Sequence, residues 1–142
     1  MAIANIFENI ISAKTRIAQL TCNITNNQAL KRLALATEGE LGTDLARQKE
    51  EIREHYKDLY DENDEWQEMY ECVDDVEDFC AEIDKLEANY YADLKELSLW
   101  EQNIDADITT DTTEKNELQL QVQNNQEALN TEIKSDFSFG LK

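Results

Sequence analysis

The sequence predicts an all-α protein, and three observations carry that expectation. Helix breakers are nearly absent, since 142 residues include no Pro and only three Gly. Asp, Glu, Gln, Asn, Leu, Ala and Lys dominate, a composition suited to long helices with polar outer faces. Apolar residues recur at helical spacing, and strand-like alternation is missing. The expected architecture is a single domain over 1–142, an elongated helical hairpin or coiled coil of three helices with a long central helix. A four-helix bundle is the alternative.

The first helix is expected over about 3–36. Ile3, Ile10, Ile17 and Ile24 recur every seven residues, with Ile6, Ala13, Leu20 and Asn27 between them. These alternating steps of three and four make a heptad seam, with β-branched residues at a and mostly apolar residues at d. A second set, Phe7, Ile11, Ala18, Cys22, Ala29 and Leu33, falls roughly 100° away around the helix. A helix with one neighbour needs a narrower stripe, so this one expects two or more. It should stop in "ATEGELGTD", where Gly39 and Gly42 offer C-cap chemistry and Thr43 or Asp44 can cap the next helix.

That next helix is expected over about 43–108. Its stripe runs through Leu45, Ile52, Tyr56, Leu59, Trp66, Tyr70, Val73, Val76 and Cys80. It continues through Ile83, Tyr90, Leu94, Leu97, Ile104 and Ile108 with no Gly or Pro between. A bend within "YDENDEW" or "CVDDVEDF", between 60 and 79, would give the bundle instead, because acidic repulsion and Asn63 weaken helix there.

"ITTDTTEK" (108–115) is the second expected break, because Thr and Asp are poor interior residues and good caps. The last helix, about 113–137, carries Leu118, Val122, Asn125, Leu129 and either Glu132 or Ile133. An apolar tail over 137–142 follows, with Phe137, Phe139 and Leu141 available for docking.

The motif Asn-Asn-Gln occurs near both ends, in "ITNNQAL" and "VQNNQEAL". Asn27 falls at d of the first helix, and Asn125 falls in the seam of the last. A core Asn costs stability but fixes register or oligomeric state when it meets another polar group. Two readings are open: the terminal helices recognise each other or their copies, or both segments fray and face water.

The net charge of −19 is unevenly spread. Residues 1–36 hold four basic groups and one acid, +3, leaving 9 basic and 31 acidic groups, or −22, on the remaining 106. From Asp58 to Asp84 there are 13 acids and no Lys or Arg. Such a surface repels phosphates, which excludes nucleic acid as an expected partner. A solvated face that keeps the chain soluble is the plainest reading. No run approaches the ~18 apolar residues of a membrane helix, so no membrane span is expected.

Catalytic and metal patterns are missing. His55, the only histidine, lies in "EEIREHYK" without the Glu and His spacing of helical di-iron or zincin sites. The stretch from Asp61 starts like a calcium loop, but Trp66 replaces the required Gly and Cys72 the bidentate Glu. Cys72 and Cys80 sit in the most acidic stretch, the opposite of the electropositive setting a thiol nucleophile needs. Cys22, Cys72 and Cys80 are odd in number, so buried free thiols and a reducing compartment of synthesis are expected. Trp66, Tyr70, Tyr90, Tyr91 and Trp100 fit packing better than a ligand face. No cofactor and no metal are expected, and no enzymatic activity.

The segments "NIFENIISAKTRIAQLTCNIT" and "NELQLQVQNNQEALNTEIKSDF" resemble in layout the paired terminal helices of filament and needle subunits exported by type III and flagellar-type systems. The resemblance covers about 60 residues and implies a self-assembling subunit, exported without a cleaved signal peptide. The long acidic middle departs from the short hairpin of needle subunits, and no functional residue carries over. The residues alone point to a non-enzymatic interaction protein working by coiled-coil packing, with protein partners: a homo-oligomer or a helical client. The seam and tail positions Ile3, Ile10, Ile17, Ile24, Asn27, Asn125, Leu129, Phe137 and Phe139 are its expected contacts. The alternative is a cytoplasmic acidic helical chaperone or adaptor for a basic or amphipathic client. An ion-buffering carboxylate bundle is a third class, disfavoured by the lone histidine.

Overall fold

A computed structural model describes the backbone of residues 3–140 and the side chains of residues 3–136. It contains α1 (Ile3–Glu62), a short α2 (Asp64–Met69), a 3-10 turn (Val73–Asp75) and α3 (Glu77–Gly140). No strand occurs among the described residues. The all-α, three-helix class is what the sequence predicts; the boundaries are not. The expected breaks at 36–44 and 108–115 are continuous helix, and the helix expected across 43–108 is interrupted at 63–76. The interruption falls inside the stretch where a bend was the alternative, yet three α-helices and not four form among the described residues.

Physical reasons for both errors are visible. Neither Gly39 nor Gly42 takes a positive φ, so neither forms a left-handed C-cap. A helical Gly costs about 1 kcal/mol relative to Ala, which a long packed seam overrides. The threonines are accommodated by back-bonding. The Thr43 hydroxyl donates to the Gly39 carbonyl at 3.1 Å and Thr113 to Thr109 at 2.9 Å, so each is satisfied within its own helix.

The turn itself is built by specific hydrogen bonds. The Asn63 side chain caps α2 by accepting from the Trp66 N–H at 3.1 Å. The Gln67 amide reaches back to the end of α1, donating to the Tyr60 and Asp61 carbonyls, each at 3.0 Å. The Tyr60 hydroxyl spans the loop to the Tyr70 and Glu71 carbonyls at 2.8 and 3.1 Å. Carbonyls that a helix end would leave without partners are thus answered by side chains of the turn.

The chain divides into two compact units. The first joins Met1–Lys31 to Asn103–Lys142. Here α1 and α3 run antiparallel: Arg16 pairs with Glu114 and, further along α1, Lys31 with the earlier Asp105. Its core is Ile6, Ile10, Ala13 and Val122, with Ile17, Leu118 and Leu129 packed alongside. Along α1 the inward positions are 3, 6, 10, 13, 17, 20, 24, 27 and 31, the alternation that the isoleucine repeat predicts.

The second unit is Arg32–Gln102. Tyr56, Val76 and Phe79 form its core, surrounded by Ile52, Tyr60, Trp66, Tyr70, Val73 and Ile83. The Tyr56 ring stacks on Trp66 at 6.2 Å and meets Phe79 edge-on at 5.7 Å. Lys49–Glu87 and Arg53–Asp74 bridge the two sides. In this unit the spacing slips. Inward positions on α1 pass through Leu41, Leu45 and Lys49, and on α3 through Leu86, Tyr90 and Leu94, in each case two successive steps of four.

Candidate interaction surfaces

Of the expected contact residues, Ile10 is buried, and Ile3, Ile17, Ile24, Asn27, Asn125 and Leu129 are partly buried. Ile10, Ile17 and Leu129 belong to the core of the first unit, so much of this seam is spent within one chain. The side chains of Phe137 and Phe139, and all of Leu141, lie outside the described residues.

The two Asn-Asn-Gln segments do not meet. Asn125 shares a groove with Asn9, Ser12, Ala13 and Arg16. Asn27 lies 11 residues beyond Arg16 on α1, on the order of 16 Å along the helix. Direct recognition between the two amides is therefore ruled out within the chain. Both positions do point inward, as the periodicity predicts, and not into open water.

The second stripe of α1 behaves differently. Phe7 keeps 53% and Ile11 50% of their surface in water, and Ala18, Cys22, Thr25 and Ala29 are also exposed. α3 covers the heptad seam alone, so the second neighbour that the width of the apolar face predicts is not supplied by the first unit. All three cysteines are free and exposed, against the buried thiols expected. Cys72 and Cys80 are engaged at the turn, the Cys80 thiol donating to the Asp74 carbonyl at 3.1 Å.

Charged contacts lie along the edges of both seams. Arg16 holds Glu114 through two hydrogen bonds, at 2.9 and 3.2 Å. That pairing lowers the Glu114 carboxyl below its ordinary range and raises the guanidinium. Both groups are open to solvent, so the pair sets alignment more than stability. Burial pushes the Tyr56 phenol above its ordinary value, aided by the charge and hydrogen bond of Glu82.

Among the described residues no group of three His, Cys, Asp or Glu side chains could hold a metal ion. No helix among them is long and apolar enough to cross a membrane. Comparison with known protein families, characterised proteins and solved structures finds no match to this chain. Its class therefore rests on its own geometry: an all-α protein whose two long helices pack antiparallel within each unit, through a heptad seam in the first and around an aromatic cluster in the second.

Proposed function

We propose that this protein is a non-enzymatic structural subunit that self-assembles through helix packing. The observation that carries the reading is the set of large apolar side chains left in water on α1. Phe7, Ile11, Leu33 and Leu35 are each at least half exposed. Scattered apolar residues are ordinary on a surface, but Phe7 and Ile11 are adjacent on one helical face and continue a stripe. Export without a cleaved signal, as the filament-subunit resemblance implies, belongs to the same proposal. The test is molar mass against concentration by light scattering. Mass should rise above the 16.4 kDa of one chain as concentration increases.

A second reading, an acidic adaptor for a basic or amphipathic client, is favoured by the turn. There Met69 is 70% exposed in a stretch whose 13 acids have no basic residue among them. On that reading mass stays at one chain until a basic amphipathic peptide is added.

A further inference from the structure

We propose that the exposed stripe of α1 is the site where a second copy of this chain docks, antiparallel, with the pairing centred on Ala18. The inference rests on the self-assembly reading and specifies its first contact.

Three observations select this occupant and this direction. The stripe is apolar or small at Phe7, Ile11, Ala18, Cys22, Thr25 and Ala29, with Lys14 at its border between Ile11 and Ala18, and every one of these positions is exposed. It is also the part of the chain least burdened by acid, with residues 1–36 at +3 and the remaining 106 at −22. Two copies repel over most of their length, so contact between them is least costly here.

Direction follows from the same charge distribution. A parallel pairing would run both acidic remainders onward in step beyond residue 36. An antiparallel pairing centred on Ala18 sets Phe7 opposite Ala29 and Ile11 opposite Thr25 of the other copy. Ala4 then meets Arg32, so the overlap ends before Glu38 and Glu40, the first acids of the −22 remainder.

Size complementarity agrees. The bulky end, Phe7 and Ile11, lies on the small end, Thr25 and Ala29, and Ala18 at the crossing lets the backbones approach closely. A two-fold axis there makes the contact self-complementary and closed.

An overlap of about 29 residues is roughly 43 Å long, giving a footprint on the order of 400–500 Å² per copy. That is below the ~800 Å² per partner of a standard interface, so the dimer should be weak and concentration-dependent.

Sedimentation equilibrium of the full chain over a wide concentration range should show a reversible dimer. Ile11→Asp should raise its dissociation constant at least tenfold, on the order of a hundredfold because the two-fold axis places each charge twice. Leu120→Asp, on the exposed outer side of α3 at 58% exposure, should leave it unchanged. Circular dichroism should show both variants as helical as the parent.

Direction is read by cross-linking in a background with Cys22, Cys72 and Cys80 changed to Ser. Under oxidised glutathione, a mixture of Phe7→Cys and Ala29→Cys chains should form a mixed disulfide-linked dimer, while neither alone should cross-link. Cross-linking of either variant alone would overturn the antiparallel arrangement. A dimer indifferent to Ile11→Asp would overturn the docking site while leaving self-assembly standing. A parent that stays one chain at every concentration would overturn both. If that monomer binds an added acidic amphipathic peptide, the face belongs to a different partner.

Discussion

The two units solve the same packing problem in different ways. The first is held by a repeating aliphatic seam, Ile6, Ile10 and Ala13 against Val122, in which each turn resembles the next. The second is held by a cluster that occurs once, Tyr56, Val76 and Phe79 with Trp66 and Tyr60, hydrogen-bonded to the loop it supports. A periodic seam permits slippage by a heptad; a cluster built around one turn does not. The second unit's cluster should therefore fix its own register more sharply than the first unit's seam does.

Sequence separation points the same way. Ion pairs of the second unit join residues 21 and 38 apart, whereas those of the first join residues 74 and 98 apart. Closing the short loops costs less entropy, and each closed contact shortens the next loop. Folding should start at the turn and proceed towards the termini.

The sharpest way to break the comparison is to empty each core in turn. Phe79→Ala should cost about 3–5 kcal/mol and Ile10→Ala about 2–4 kcal/mol in denaturant melts. Their distribution should differ more than their size. Phe79→Ala should lower hydrogen-exchange protection in both units, and Ile10→Ala chiefly in the first. Loss confined to the second unit after Phe79→Ala would mean that the turn does not govern the alignment.

Gly39→Ala should raise stability by about 1 kcal/mol, because the residue is helical and an added methyl meets nothing within 4 Å. A destabilised variant would mean that a kink at Gly39 matters. Tyr60→Phe should cost about 0.5–1.5 kcal/mol through the lost donor to the Tyr70 and Glu71 carbonyls.

The smallest effect is alkaline. The Tyr56 phenol has a raised pKa in the folded chain, so its neutral form is favoured there. Its contribution is complete below the unfolded value near 10 and is lost as pH rises towards and through the folded value. Melting temperature should fall less steeply above pH 10 in Tyr56→Phe than in the parent. Equal slopes would show that the phenol does not titrate with unfolding.

Which residues face inward was legible in the sequence; how the helices connect was not. Tyr56, Val76, Ile104 and most of the stripe from Leu45 to Ile108 face inward as the spacing predicts, although that stripe was assigned to one helix and is divided among α1, the turn with α2 and its 3-10 element, and α3. Leu59 and Cys80 are the exceptions, both exposed. Period survives a break because each segment keeps its own seam. Breaks were misplaced because Gly and Thr signal local preference, and a packed seam outweighs that preference over 60 residues. The true turn has no Pro or Gly. Asn63, Gln67 and Tyr60 make it through side-chain hydrogen bonds, whose pairing cannot be read from spacing. The exposed stripe on α1 was visible as excess apolar width, and the isoleucine repeat marked the face that α3 takes; nothing in the sequence showed what would cover the other face.

The two matched steps of four, Leu41–Leu45–Lys49 on α1 and Leu86–Tyr90–Leu94 on α3, tie the lengths of these segments together. Each adds four residues to a seven-residue repeat, giving an eleven-residue stretch whose natural winding is slightly right-handed where the flanking heptads are left-handed. Because both helices carry the addition, their seams return to phase together. Removing four residues from one helix alone would rotate its onward seam away from its partner; removing four from each would leave an unbroken heptad pair. Insertions and deletions in this protein are therefore permitted in pairs.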